Sequence, residues 1–413
     1  MELNSYLTSM NALHLRLAKY TAAFLLLAFS VQTAQSQDYK EVHGKNILID
    51  THNDILTTAL SDGVSFDQDL KGKTHSDLKR MKEAGMDVQV FSVWCDGNRQ
   101  NPYAYANRQI DTLYAWIERN PEAMMLVKTP ADLNKAVKQQ KLGSMIGVEG
   151  GHMIENDLNK LNTLFERGAR YLTLTWNNST TWATSAMDEN MPAKSPLSGE
   201  SAPKKGLSDF GKQVVKKMND LGMMVDVSHV GEQTFWDVMK TSTKPVLVSH
   251  SNCFQLCPVS RNLKDEQIRA VGKNGGIICL NFYSGFLSPD YEKLSREFNK
   301  KHKAERDSLL KLNPEPYFAN DYLFKKYPEE VQELRPSYTE IVDHLDHIVK
   351  LVGADHVGFG SDFDGINSTP EGLDDITGYP LITKELIARG YSKKDIAKIM
   401  GGNFMRVFRE NMN

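Results

Sequence analysis

The chain has few cysteines, no excess of charge of either sign and no apolar run long enough to span a bilayer comfortably. Its 49 basic residues nearly balance 52 acidic ones, so composition gives no electrostatic reason to expect nucleic acid or an anionic membrane as partner. The apolar run over residues 20–31 is too short for a membrane span. With 40% hydrophobic and 24% charged residues, the 413-residue chain is of ordinary globular composition, and small or neutral partners are favoured.

The four cysteines do not form a thiolate metal motif. Cys253 and Cys257 are four residues apart, and neither Cys95 nor Cys279 supplies a C-x-x-C partner. Export would permit disulfides, and the sequence leaves all three pairings of the four cysteines open.

The N-terminal segment has the layout of a secretory signal peptide. Basic Arg16 and Lys19 precede the apolar run, small residues follow it, and no cysteine comes next to accept a lipid. We expect residues 1–36 to be removed, with Met10 as an alternative start. The mature chain is then predicted to lie in a periplasm or outside the cell, with no membrane span.

Apolar, β-rich runs alternate with helical patterns along the rest of the chain. These runs are residues 47–50, 87–94, 144–149, 171–176, 223–229, 245–250, 276–283 and 356–362. Helical stretches such as "DLNKLNTLFERG" and "YTEIVDHLDHIVKLVG" end on glycine, as helices commonly do. Eight near-continuous apolar strands separated by helices predict a parallel sheet buried on both faces. Residues 37–413 are therefore predicted to form one α/β domain, a (β/α)₈ barrel of the TIM type.

Six polar residues share one position, the C-terminal ends of the predicted strands. They are His52, Asp54, Glu149, His229, His250 and Asp362. One such residue alone is more often structural, but in this fold the active site lies at that rim. Nitrogen and oxygen ligands without thiolate favour a divalent metal, zinc foremost. Even five ligands from this set exceed the need of one tetrahedral zinc, whereas two ions sharing a bridging carboxylate would use all five.

The remaining histidines are weaker candidates. His344 and His347 share one face of a helix that precedes the last strand, so we expect them to pack outside the barrel. His152 follows Glu149 by three residues, and its role is left open.

The motifs at these strand ends resemble a known family. "DTHNDIL", "GVEGGH", "RYLTLTWNNST", "VDVSHV", "VLVSHSNC", "SRNL", "NFY", "GFGSDFDG" and "PEGL" are similar, in this order, to motifs of the zinc-dependent membrane dipeptidases, also called renal or microsomal dipeptidases, within the amidohydrolase-type metal barrels. The resemblance covers roughly residues 46–411. Its weakest part, residues 286–336, looks like a family-variable helical insertion after the seventh strand.

The resemblance implies roles for individual residues. His52, Asp54 and Glu149 would hold one zinc ion, and Glu149, His229 and His250 the second, with Glu149 bridging. It further implies that Arg261 binds the substrate's C-terminal carboxylate, for which a guanidinium fork is suited. Asp362 would act as proton carrier opposite the metals, so Glu149 and Asp362 are the predicted catalytic carboxylates.

One position departs from the family pattern. Family members have histidine after "LTLT", in contact with the region of the scissile carbonyl, whereas this chain has Trp176. Trp176 is therefore a predicted substrate contact whose effect on substrate choice is left open, while metal binding is untouched.

Together these features predict a binuclear zinc metallopeptidase, a secreted bacterial member of the family. It would hydrolyse dipeptides by attack of a metal-bound hydroxide on the peptide carbonyl. A hydrolase of another N-acyl amide or of a lactone on the same barrel is the enzymatic alternative, and a secreted metal-dependent binding protein is the non-enzymatic one. The preferred dipeptides, the tolerance of D-residues and the formation of a homodimer are left open.

Overall fold

The computed structural model describes residues 39–189, 205–313 and 316–413. The predicted signal peptide lies outside these ranges. No helix within them is both long and apolar enough to cross a bilayer.

The described residues form nine strands, all paired in parallel. They are β1 Leu48–Asn53, β2 Met86–Trp94, β3 Met124–Leu126, β4 Leu142–Glu149, β5 Ala169–Thr173, β6 Met224–Asp226, β7 Leu247–Val248, β8 Ile277–Leu280 and β9 Val357–Phe359. Eight of them follow one another around a closed barrel, which β2 and β4 close by pairing Val88–Trp94 with Gly143–Glu149. The fold is thus the predicted (β/α)₈ barrel.

The short strand β3 was not predicted. It pairs with the first three residues of β4, on the edge where β5 pairs further along. Its sequence, Met-Met-Leu, has no β-branched residue, so nothing in its composition indicates a strand.

Helices surround the barrel. Residues 39–45 are helical, and the α-helices that follow are Ile55–Asp62, Leu78–Glu83, Pro102–Arg119, Pro130–Lys138, Leu158–Glu166, Ala186–Glu189, Asp209–Leu221, Glu232–Thr241, Asp265–Asn274, Ser284–Leu287, Pro289–Lys301, Lys303–Leu312, Pro316–Lys326, Pro328–Gln332, Thr339–Val352, Tyr379–Ala388, Lys393–Ala397 and Asn403–Met412. Short 3₁₀ segments span Gly151–Ile154, Ala354–His356 and Ile376–Gly378, and a π-helical turn spans Lys398–Gly402.

Two apolar layers hold the barrel together. Residues such as Ile49, Val90 and Met145 fill its interior together with the C-terminal helix, whereas Leu48 and Phe91 belong to the layer shared with the outer helices. Successive strand residues thus contribute to opposite faces, and both faces are buried. This explains why the strands read as continuous apolar runs.

Four helices, Pro289–Lys301, Lys303–Leu312, Pro316–Lys326 and Pro328–Gln332, follow β8, the seventh strand of the barrel. They have a small apolar core of their own, formed by Tyr291, Phe298, Leu323, Phe324 and Leu334. Helices therefore occupy the predicted insertion. Its status as a family-variable element stays a prediction.

Several strands end earlier than predicted. β6 ends at Asp226 rather than at residue 229, and β7 ends at Val248 rather than at residue 250. The backbone N–H groups of Ser228 and Ser249 donate to the Asp226 carboxylate, so these amides are taken by a side chain. The polar residues at the rim therefore stand on loops that directly follow the strands.

All four cysteines are buried, and none forms a disulfide within the described ranges. Burial raises the pKa of the Cys95 thiol to about 12, which keeps it protonated at neutral pH. These cysteines therefore act as small apolar core residues.

Candidate metal centre

The five predicted ligands converge at the C-terminal rim of the barrel. Glu149, the last residue of β4, lies between the three imidazoles: its Oε1 is 2.9 Å from His229 Nε2 and 3.5 Å from His250 Nε2. Its Oε2 is 3.3 Å from His52 Nε2, which in turn is 3.4 Å from Asp54 Oδ2. The two oxygens of Glu149 thus face different sets of potential ligands.

Each imidazole is oriented by a hydrogen bond at Nδ1. His52 Nδ1 bonds to the Tyr171 hydroxyl at 2.9 Å, His229 Nδ1 to Asn177 Oδ1 at 3.2 Å, and His250 Nδ1 to Ser249 Oγ at 2.8 Å. Because an amide oxygen only accepts, His229 carries its proton on Nδ1. Tyr171 donates its own proton to the Thr51 carbonyl, so His52 likewise donates from Nδ1.

Three buried atoms of the predicted ligands lack hydrogen-bond partners among the residues described. His52 Nε2, His250 Nε2 and Asp54 Oδ1 are buried, and none has a hydrogen-bond partner within the part of the chain that the structure describes. Buried polar atoms without partners are costly, and a cation beside Glu149 would satisfy the two imidazole nitrogens.

The spacing of these atoms suits zinc. Two ligand atoms about 2.0–2.1 Å from a tetrahedral zinc ion lie about 3.3 Å apart. The distances of 3.3, 3.4 and 3.5 Å among His52, Asp54, Glu149 and His250 agree with that value, whereas the 2.9 Å between His229 Nε2 and Glu149 Oε1 is shorter. Potential ligand atoms also lie within 4.8 Å of one another in two groups: His52, Glu149 and His250; and His52, Asp54 and Asp362. The residues present therefore fit the implied metal.

Electrostatics favours neutral imidazoles on one side of the centre. Burial, with the nearby Arg261 cation, lowers the pKa of His229 to about 4, and burial with the charge of His52 lowers that of His250 well below its usual value. Neutral imidazole is the form that binds metal.

The carboxylates of Asp54 and Glu149 favour a positive charge beside them. Burial alone lowers the pKa of His52, but Tyr171, Glu149 and Asp54 outweigh it and raise the pKa well above its usual value. Burial alone would raise the pKa of Glu149, whereas the charge of His52 and the proximity of His229 and His250 hold that pKa well below its usual value. Without a metal, a proton on His52 balances this charge, which is the balance that a bound cation would supply.

Asp362 lies beside these residues on the loop after β9. Its Oδ1 is 4.0 Å from His52 Nε2, while its Oδ2 accepts a 2.8 Å hydrogen bond from the Asn281 amide. Burial raises the pKa of Asp362 well above its usual value, and the carboxylates of Asp54 and Glu149 add to the shift against the effect of His52. A carboxyl group of raised pKa near a metal centre is suited to carry a proton.

Backbone conformation singles out two of these residues. His229 and Asp362 have φ of 65° and 64°, in the left-handed region that residues other than glycine rarely adopt. Such conformations cost on the order of 1–3 kcal/mol and cluster at functional sites.

Arg261 lies in a cavity next to His229. The two residues line one cavity of about 320 Å³, whose apolar wall includes Val230, Phe254 and Leu263. The guanidinium donates to Ser251 Oγ and to the His250 carbonyl, and its buried Nε has no partner among the described residues. Burial lowers the pKa of Arg261 to about 10, so it remains charged at neutral pH.

Trp176 stands at the edge of the centre. Its ring centroid is 5.0 Å from that of Trp94 and 6.5 Å from that of His229. The half-buried indole thus forms an aromatic wall beside a potential ligand.

The other histidines are placed elsewhere. His344 accepts from the Cys253 backbone N–H and donates to the Leu287 carbonyl, and His347 pairs with Asp265, so both pack outside the barrel as predicted. His152 donates from Nε2 to the Cys95 carbonyl, and its Nδ1 has no described partner.

The sequence did not single out the residues that orient the ligands. Tyr171, Asn177, Ser249 and Asn281 were not proposed, although each lies in a quoted motif. Only Ser249 and Asn177 adjoin residues that were proposed. No sequence pattern indicates that Tyr171, on β5, reaches His52 on β1.

The fold and this rim together define the class of (β/α)₈ barrels that hold metal at the C-terminal ends of their strands. The model of the membrane dipeptidase family, peptidase family M19, matches residues 36–413. The chain therefore belongs to the membrane dipeptidase family, a family of metallopeptidases.

Comparison with solved structures agrees with this family assignment. Dipeptidase AC, a metallopeptidase of family M19, is 25% identical with a TM-score of 0.70, over 89% of this chain and 99% of that chain. The probable dipeptidase PvdM from Pseudomonas aeruginosa is 25% identical with a TM-score of 0.74, over 92% and 99%. A metallopeptidase from Rhodobacter sphaeroides, solved with a phosphinate mimic of the dipeptide L-Ala-D-Ala, is 24% identical with a TM-score of 0.70, over 89% and 100%, and shows the same fold.

Proposed function

We propose that this protein hydrolyses dipeptides to free amino acids at a centre of two zinc ions. The observation that carries the proposal is the position of Glu149, whose Oε1 faces His229 and His250 while its Oε2 faces His52. In the proposed assignment His52, Asp54 and Glu149 hold one ion, and Glu149, His229 and His250 the other.

When bound, the two ions would polarise the peptide carbonyl and lower the pKa of water from about 15.7 to about 7. Asp362 accepts the proton of the attacking water on its carboxylate and returns it to the leaving amine. Asn281 fixes Oδ2 of Asp362, so Oδ1 remains directed toward the centre. Arg261 binds the substrate's C-terminal carboxylate in the cavity that it shares with His229.

The test of this function is turnover of a panel of L-L and L-D dipeptides by zinc-loaded and chelator-treated protein. We expect two zinc ions per chain, hydrolysis of dipeptides, and loss of activity on chelation that zinc restores. An N-acyl amide and a lactone belong in the panel. Turnover of either one without any dipeptide hydrolysis, or one ion per chain at saturating zinc, would contradict the proposal.

Export is part of the proposal. The signal layout of residues 1–36 supports a mature chain that begins near Gln37 beyond an inner membrane. N-terminal sequencing of the exported protein tests it, and retention of the apolar run would argue for an anchor instead.

Arg261→Lys is expected to raise KM for dipeptides and to lower kcat/KM about 10- to 100-fold, because lysine keeps the charge but loses the bidentate fork. Dipeptides with an amidated C-terminus are the matched control, since they lack the carboxylate that the fork binds. If kcat/KM falls equally for free and amidated substrates, or if KM is unchanged, Arg261 does not bind the substrate's carboxylate.

Trp176→His is expected to change the ranking of dipeptide substrates more than the maximal rate. Indole donates one hydrogen bond and cannot coordinate zinc or take up a proton, yet its ring walls the pocket beside His229. Trp176→Phe is the control, because it keeps an aromatic wall and should keep the ranking. A rate increase of several orders of magnitude in the histidine variant, with the ranking unchanged, would favour the alternative hydrolase function.

A further inference from the structure

Asp226, at the end of β6, is a buried carboxylate to which none of the roles above has been assigned. Its Oδ1 accepts the backbone N–H groups of Ser228 at 3.1 Å and Ser249 at 2.9 Å. Its Oδ2 accepts the hydroxyls of Thr173 at 2.5 Å and Ser249 at 2.6 Å. Four donors on one carboxylate show that it acts only as an acceptor, so both hydroxyl protons point toward it.

The Ser249 hydroxyl connects this carboxylate to the metal centre. The single hydroxyl proton of Ser249 goes to Asp226 Oδ2, which at 2.6 Å is a nearer and more strongly accepting partner than Ser228 Oγ at 3.2 Å. The oxygen of Ser249 therefore accepts from His250 Nδ1, which lies 2.8 Å away. His250 therefore carries its proton on Nδ1. Its Nε2 keeps a free lone pair, is buried without a described partner, and lies 3.5 Å from Glu149 Oε1.

We propose that Asp226, acting through the Ser249 hydroxyl, holds His250 in the tautomer whose Nε2 can bind zinc, and thereby sets the affinity of the centre for the metal. Asp226 and Ser249 are then positioning residues, because neither touches substrate or metal. The inference rests on the proposed zinc centre and adds to it the determinant of one ligand's tautomer. Partners of this kind commonly change metal affinity about 10- to 100-fold.

The geometry makes a specific prediction for Asp226→Asn. The amide oxygen would keep the two backbone N–H donors, because turning the amide would set its NH₂ group against them. The NH₂ group then faces Ser249 and donates to its oxygen. The serine proton then turns toward its remaining acceptors, His250 Nδ1 at 2.8 Å and Ser228 Oγ at 3.2 Å. At the nearer one, Nδ1 becomes an acceptor, so the proton of the imidazole moves to Nε2 and blocks metal binding.

A second buried aspartate shows what is particular to this arrangement. Asp50 accepts the backbone N–H groups of His52 and Ser361 on Oδ1, and the hydroxyls of Ser361 and Tyr379 on Oδ2. It thus joins β1 to β9 as Asp226 joins β6 to β7. The hydroxyls that donate to Asp50 are not hydrogen-bonded to an imidazole nitrogen of the described residues, because His52 Nδ1 is oriented by Tyr171 instead.

The test compares Asp226→Asn and Ser249→Ala with Thr173→Val. The valine variant removes a hydroxyl from the same oxygen of Asp226 and leaves the path through Ser249 to His250 intact. Zinc alone is titrated into metal-free protein against a competing chelator at fixed pH. Circular dichroism and thermal unfolding of the metal-free proteins report on folding. Ring ¹⁵N spectra of histidine-labelled protein report the tautomer, with the His250 signal assigned by its absence in a His250→Gln variant.

We expect Ser249→Ala and Asp226→Asn to weaken binding of one zinc ion about 10- to 100-fold, and Thr173→Val to stay close to the native affinity. The His250 signal should move from the Nδ1–H to the Nε2–H pattern in Asp226→Asn. If Asp226→Asn does not fold, Ser249→Ala decides by its zinc affinity against that of Thr173→Val.

Three results would overturn the inference. The first is native zinc affinity in both Asp226→Asn and Ser249→Ala, and the second is an unchanged His250 tautomer in folded Asp226→Asn. The third is a loss of zinc affinity in Thr173→Val as large as in those two variants. These results differ from failure of the proposed function, in which the native protein itself binds no zinc or hydrolyses no dipeptide.

Discussion

Glu149→Gln is expected to lower kcat/KM for dipeptides by at least about three orders of magnitude, equivalent to about 4 kcal/mol of transition-state stabilisation. Glutamine keeps the size of the side chain, but only one of its two terminal atoms accepts. Because Oε1 faces His229 and His250 while Oε2 faces His52, the amide nitrogen would point a donor at one of these sets. Zinc analysis should show at least one ion lost per chain.

Asp87→Asn is the matched control for this variant. Asp87 is a half-buried carboxylate near the beginning of β2, at the opposite end of the barrel, where it accepts the Leu48 backbone N–H. It should keep both ions and its activity. A Glu149→Gln protein that retains two zinc ions and native turnover would show that Glu149 does not bridge.

Asp362→Asn is expected to lower kcat about 10²- to 10⁴-fold, the usual contribution of a positioned acid–base group. The amide cannot accept a proton from water or return it to an amine. Zinc content should remain at two ions per chain, because the proposed ligands are the other five residues. The measurement is kcat together with zinc content of the purified variant.

Zinc content separates two roles that the structure brings close together. Asp362 Oδ1 also lies within 4.8 Å of potential ligand atoms of His52 and Asp54, an arrangement that suits a ligand as well as a proton carrier. Loss of one ion in Asp362→Asn would make Asp362 a ligand and would leave the proton carrier to be found elsewhere.

Much of the fold was predictable because its signal is local. A strand buried on both faces is mostly apolar, so β2 and β4 appear as near-continuous apolar runs that include a few buried polar residues such as Gln89 and Ser144. Helices such as Asp209–Leu221 end at a glycine in the left-handed conformation, which is visible as a residue type. The strand β3 was missed because it forms only by pairing with β4. The ends of β6 and β7 were misplaced because the Asp226 carboxylate, at the end of β6, accepts the backbone N–H groups of Ser228 and Ser249.

The sequence alone determined the order of the barrel strands and which residues stand at their C-terminal ends, since both follow from hydrophobic pattern and chain order. His52, Asp54, Glu149, His229 and His250 were accordingly named before their distances were known. Only the tertiary structure decided which nitrogen or oxygen atom of each residue faces the metal centre. The Nδ1 partners Tyr171 and Asn177 come from distant segments, and these hydrogen bonds exist only once the barrel has closed. Ser249 directly precedes His250, but its hydroxyl is oriented by Asp226 of β6. The pKa values of the buried groups depend in the same way on closure, because burial and the approach of charges from other strands cause them.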